Sequence, residues 1–172
     1  MNYFELFGLV ECFELDTQQL AQTYRQLQSQ YHPDRFATAP EGEQLAAVQR
    51  AARINDGFTT LKAPLSRAEY LLSLRGTDLR GEQQTLQDTP FLMQQLMWRE
   101  RLADLKEEPE PERAIKDFRQ EIRHDHQLLM QQLTQMLATG DELRAADYVR
   151  KLKFIDKLLE ELERFEDSLF ES

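Results

Sequence analysis

Ile115, Ile122, Leu129 and Met136 recur every seventh residue, and Phe118 and Leu133 fall between them on the same side of a helix. A strand places alternate residues on opposite faces, so only a long helix lines up all six, with a coiled-coil-like seam that needs partner helices. Gly140-Asp141 then supplies a turn, and Tyr148, Leu152, Ile155, Leu159 and Leu162 form the seam of a last helix. Short turns between helices imply antiparallel neighbours. Asp88-Thr89-Pro90 signals the start of an earlier helix, and Glu107 to Pro111, with two prolines among acids, its stop. The region 88–172 is therefore expected to be a three-helix bundle.

Residues 1–75 carry the same helical signature in shorter pieces. Asp16 precedes Thr17-Gln18-Gln19 in a capping pattern, and Leu20, Tyr24, Leu27 and Tyr31 follow at helical spacing until Pro33 stops the run. A second helix is expected after Thr38-Ala39-Pro40-Glu41, reaching about Leu61 and burying Leu45, Val48, Ala52, Phe58 and Leu61. Pro64 opens a third, through Leu65, Ala68, Leu71 and Leu72. Gly76 to Gly81, followed by Glu82-Gln83-Gln84, is rich in turn residues and poor in apolar ones, so residues 76–87 are expected to connect two domains.

Charge divides along the same line. The whole chain has a net charge of −10, with seven basic and nine acidic side chains in 1–75 and 14 and 22 in the remainder. A field of that sign repels phosphate backbones and anionic headgroups, which disfavours nucleic acid and membrane surfaces as partners. Cys12 is the single cysteine, so the chain cannot form an internal disulfide or supply a four-thiolate metal site. The first residues lack the basic and apolar regions of a signal peptide, and no apolar run approaches a membrane span; a cytoplasmic location is expected.

Three features could carry function. His32-Pro33-Asp34 lies at the turn between two amphipathic helices, where side chains are free of core packing. Pro33 restricts both neighbours, Asp34 offers an acceptor to a partner arginine, and His32 a directional donor or acceptor. A proline-terminated helix followed by a polar turn accounts for the tripeptide equally well. The helix after Asp88 is apolar on two faces: Phe91, Trp98, Leu102 and Leu105 gather on one, and Leu92, Met93, Leu96 and Met97 on the other beside Glu100 and Asp104. The second face either packs internally or is a partner site with adaptable, methionine-rich contact area and an acidic rim. His124 and His126 point about 200° apart on a helix and cannot chelate one metal. No metal site, cofactor site or catalytic constellation is indicated elsewhere.

Taken together, Tyr3-Phe4-Glu5-Leu6-Phe7-Gly8-Leu9, Tyr31-His32-Pro33-Asp34-Arg35-Phe36, Ile54-Asn55 with Phe58, Leu61 and Pro64, and Arg67-Ala68-Glu69-Tyr70 resemble a J-domain. The segments "RAEYLLSLRG", "DTPFLMQQL" and "VRKLKFIDKL" extend the likeness over nearly the whole chain to the HscB family of J-domain co-chaperones in bacterial iron–sulfur cluster assembly. The resemblance implies an all-α, L-shaped, two-domain protein: a helical hairpin with flanking helices, then the bundle. It implies no enzyme activity of its own and two partners, a dedicated DnaK-type chaperone whose ATPase it stimulates and an iron–sulfur scaffold protein that it delivers.

Carried over by residue, the resemblance assigns His32, Pro33 and Asp34 to the chaperone. J-domains usually present a basic face on the preceding helix. Here that helix keeps Arg25 but otherwise offers Gln26, Gln28, Ser29 and Gln30, with Arg35 just beyond the motif, so weak electrostatic steering is expected. Leu92, Met93 and Leu96 match the family's scaffold-binding patch, joined by Phe154 and flanked by Glu100 and Asp104. Met97 stands where relatives often carry an acid, which implies a more apolar patch. A J-protein with a different client, or a helical phosphotransfer protein using His124 or His126, are the alternatives; the latter leaves the N-terminal pattern unexplained.

Overall fold

A computed structural model describes residues 1–79 and 88–171, and the chain divides between Asp78 and Leu79 into two compact units. The described residues are helical, joined by turns and short irregular segments, with no strand among them. Much of the expected 76–87 connection lies outside the described residues.

The first unit contains α1 (Tyr3–Leu6), α2 (Thr17–Tyr31), α3 (Glu41–Lys62) and α4 (Pro64–Leu74). The Asp16 carboxylate accepts from the backbone N–H groups of Gln18 and Gln19, which satisfies two otherwise unpaired donors at the start of α2. Tyr24 stacks on Phe58 with ring centroids 4.1 Å apart, and the Arg50 guanidinium lies 4.6 Å from the Tyr31 ring centre. Since 24 faces 58 and 31 faces 50, α2 and α3 run antiparallel. Leu20 is fully buried in this hairpin, while Tyr24, Leu27 and Tyr31 are half-buried.

The buried face of α3 differs from the expected one. Leu45 and Val48 are 59% and 52% exposed, and Ala52 is exposed as well. The core side consists of Ala47, Ile54, Gly57 and Leu61, with Phe58 half-buried. Gly57 explains the difference: a Cβ there would lie 2.9 Å from the Phe7 ring and 3.0 Å from the Tyr3 ring. The short α1 therefore packs directly onto the α3 backbone, and small residues define the contact face. The Tyr3 backbone N–H donates to the Tyr70 hydroxyl at 2.9 Å, and the two rings stack, which ties α1 to α4 as well.

Arg67 of α4 is 5% exposed. Its guanidinium donates to the carbonyls of Phe13 and Leu61, both at 2.7 Å, and lies over the Phe13 ring. Burial lowers its pKa from the ordinary arginine value. These bonds hold the segment before α2 against the α3–α4 corner.

In the second unit, α5 (Thr89–Asp104), α6 (Pro111–Thr139) and α7 (Glu142–Phe170) form the expected bundle. Asp88 caps α5 by accepting from the Phe91 N–H at 3.0 Å, and it pairs with Lys151 of α7 at 2.7 Å. Both contacts hold its carboxyl below the usual carboxylate range. After α5, a 3-10 turn at Leu105–Glu107 buries Leu105, and Pro111 opens α6, where its missing N–H is harmless. Gly140, at φ 82°, ends α6 in the left-handed region, and the Asp141 N–H donates to the Met136 carbonyl at 3.0 Å.

Ile115, Phe118, Ile122, Leu133 and Met136 are buried and Leu129 is half-buried, as the seven-residue pattern predicts. On α7 the buried face is broader than expected and includes Ala145, Ala146, Val149 and Leu158 beside Leu152, Ile155 and Leu162. Arginine–glutamate pairs link every pair of helices: Arg101 with Glu121, Arg119 with Glu166, and Arg99 with Glu161. Taken with Asp88–Lys151 between α5 and α7 and His126–Asp156 between α6 and α7, their positions make α5 parallel to α7 and α6 antiparallel to both.

Candidate functional site

At the tip of the α2–α3 hairpin, His32 adopts φ −61° and ψ 133°, the extended geometry favoured before proline. Pro33 then starts a 3-10 turn, Pro33–Phe36. The Asp34 N–H donates to His32 Nδ1 at 3.2 Å, and the Arg35 N–H to the His32 carbonyl at 3.0 Å. Because Nδ1 accepts, the neutral ring carries its proton on Nε2, leaving that N–H as a free donor. The His32 and Asp34 side chains are 51% and 91% exposed, and Nδ1 lies 3.6 Å from the nearer Asp34 carboxylate oxygen. Gln44 of α3 fixes the far side of the loop by donating to the carbonyls of Ala37 and Ala39.

Such a turn offers one directional donor and one exposed carboxylate at a fixed separation. Beneath it, Tyr31, His32 and Pro33 line a cavity of about 180 Å³ with Gln28, Ala51, Ile54 and Asn55. Arg25 and Arg35 are exposed. The cation that sequence reasoning missed is Arg50, which reaches the loop from α3 across the hairpin by stacking on Tyr31. Its signal was spatial, since the charge pattern on α2 alone cannot reveal it.

On α5, Trp98 and Leu105 are buried and Phe91 and Leu102 half-buried against the bundle. On the opposite side Met93, Leu96 and Met97 are 60%, 65% and 62% exposed, Leu92 is half-buried, and Glu100 and Asp104 are exposed. The second apolar face expected from the sequence is thus an open surface bordered by acids. Phe154 is placed differently: it stacks on Trp98 with ring planes 9° apart and meets Phe91 edge to face. It joins the half-buried margin of the core, with the Arg99 guanidinium over its ring at 5.2 Å. The α5 residues are gathered on one face, and Phe154 is grouped with the aromatic residues of the other.

His126 Nε2 lies 3.2 Å from the Asp156 carboxylate on α7, while His124 is exposed. Cys12 donates its S–H to the Glu14 carbonyl. Among the described residues no helix is long and apolar enough to cross a membrane.

Over 172 residues, the whole of both chains, the sequence is 88% identical to the co-chaperone protein HscB homolog of Aeromonas hydrophila. The chain belongs to the HscB co-chaperone family. Residues 87–163 match the family model described as the HSCB C-terminal oligomerisation domain, which includes α5 and Phe154. The chaperone HscB from Vibrio cholerae is 48% identical and superposes with a TM-score of 0.89, covering 98% of this chain and 99% of that one. Human co-chaperone protein HscB is 27% identical with the same TM-score, covering 96% of this chain and 82% of its own. The HscB fold therefore accounts for both helical units, and both candidate surfaces lie on it.

Proposed function

We propose that this HscB-family chain stimulates the ATPase of a dedicated DnaK-type chaperone through His32-Pro33-Asp34 and delivers an iron–sulfur cluster scaffold protein to it through the exposed face of α5. The observation that carries this reading is the presence, on one chain, of a rigid exposed polar turn and a separate exposed apolar face. Neither is needed to complete a core. Joining two partner surfaces on one molecule raises the effective concentration of the scaffold at the chaperone. The ATP chemistry resides in the chaperone, and the protein acts in the cytoplasm as a non-enzymatic adaptor.

Each surface suits its assigned partner. The Asp34 carboxylate accepts a charge-assisted bond from a partner arginine, and His32 Nε2–H supplies a second, directional bond. Their restriction by Pro33 lowers the entropy lost on docking. On α5, Leu92, Met93, Leu96 and Met97 offer deformable apolar area, while Glu100 and Asp104 favour a scaffold surface with basic residues at its edge. Phe154 contributes through the aromatic cluster it forms with Trp98 and Phe91, which supports this helix.

Replacement His32→Gln is expected to abolish stimulation of chaperone ATP hydrolysis while leaving helicity and scaffold affinity unchanged. Steady-state ATPase assays and calorimetric titration measure the two. Full stimulation by the variant overturns the role given to the loop.

A further inference from the structure

The exposed face of α5 carries two of the five methionines of the chain. Met93 and Met97 are one helical turn apart and 60% and 62% exposed, whereas Met136 is 9% exposed and Met130 is half-buried. Solvent access governs thioether oxidation, so these two sulfurs are placed to react ahead of the methionines in the bundle.

We propose that Met93 and Met97 form a reversible oxidation site through which hydroperoxides switch off uptake of the scaffold. This rests on the assignment of the α5 face to the scaffold protein. The thioether sulfur attacks one oxygen of hydrogen peroxide; an S–O bond forms as the O–O bond breaks. Sulfur gives up two electrons, and the departing hydroxide takes the proton from the transferred oxygen and leaves as water. The product is a sulfoxide, a polar group in the middle of an apolar contact area. Glu100 and Asp104 on the same face offer only acceptors when ionised, so they give the new S=O oxygen no donor. Burying it against an apolar partner therefore opposes binding. Leu96, between the two methionines in sequence, is 65% exposed, so the two sulfurs flank apolar area that a partner would cover.

The test treats the full chain with dilute hydrogen peroxide, maps added oxygen by peptide mass, and measures affinity for the purified scaffold before and after. Expected are one added oxygen each at Met93 and Met97 before any at Met136, scaffold binding weaker by roughly tenfold or more, and recovery on treatment with methionine sulfoxide reductases. In the double variant Met93→Leu, Met97→Leu the affinity, whatever its starting value, is expected to be the same before and after peroxide. Unchanged affinity of the oxidised natural chain overturns the proposal, as does a peroxide-induced loss that persists in the double variant or oxidation of Met136 at the same rate. Failure of the untreated chain to bind the scaffold refutes instead the assignment of the α5 face, and the switch with it.

Discussion

The loop at 32–36 and the face of α5 are built in opposite ways. The loop presents two polar side chains whose positions come from the backbone: an extended residue before proline, a 3-10 turn, and one side-chain acceptor for a backbone N–H. The α5 face presents apolar area, and its geometry comes from what lies behind it, chiefly Trp98 stacked on Phe154 and met edge to face by Phe91. A polar turn tolerates little change in residue identity but needs little core. An apolar face tolerates exchange among similar side chains, yet depends on a packed bundle to keep its helix in place.

The strongest way to break this contrast is Trp98→Ala. Removing the largest buried side chain of the bundle is expected to cost about 3–5 kcal/mol, read as lost amide protection along α5–α7 with α2 and α3 unchanged. An equal loss in both units means that their stabilities are not separate. Next, replacing Leu92, Met93 and Leu96 together by Ala is expected to weaken scaffold affinity by roughly 2 kcal/mol or more, while urea denaturation shifts little, because Met93 and Leu96 are exposed. Phe154→Ala sharpens the contrast, since it is expected to lower folding stability by about 2 kcal/mol through loss of the aromatic stack.

A smaller effect is expected at the cap that starts α5. Asp88→Ala should cost about 1 kcal/mol near neutral pH. The Asp88 pKa is depressed by Lys151 and the Phe91 N–H, so its contribution is present above the ordinary carboxylate value and disappears as pH falls through the folded one. Urea titrations over an acid pH series should therefore show the natural chain and the variant converging. The smallest effect concerns the loop. With Arg25, Arg35 and Arg50 as its nearby cations, association with the chaperone is expected to weaken less than about threefold between low and physiological salt; stopped-flow association rates measure it.

Legibility in the sequence followed the size of the side chains. The heptad on α6 and the caps at Asp16 and Asp88 were readable because large apolar residues and capping oxygens report directly on local geometry. The contact face of α3 was not, because Ala47 and Gly57 do much of its packing and have almost no hydrophobic signal, while Leu45 and Val48 have a strong one and face solvent. The close approach of Phe7 to Gly57 is a tertiary fact that periodicity cannot carry. Short α1 lacked the length to show any period. The two faces of α5 followed from spacing alone, and the assignment of the exposed one to a partner came from the resemblance. Phe154 lay off its helix seam in the sequence as in the structure, but spacing could not reveal that its ring turns toward Trp98. Arg50 joined the loop only through the hairpin.

Trp98 is also the sole indole of the chain, buried on the inner side of the helix that carries the apolar face. Selective excitation of indole fluorescence therefore reports on the bundle alone, whereas the first unit stays dark under the same light. Emission colour and anisotropy become a built-in gauge of whether a partner, an oxidant or a denaturant has reached α5, with no label attached.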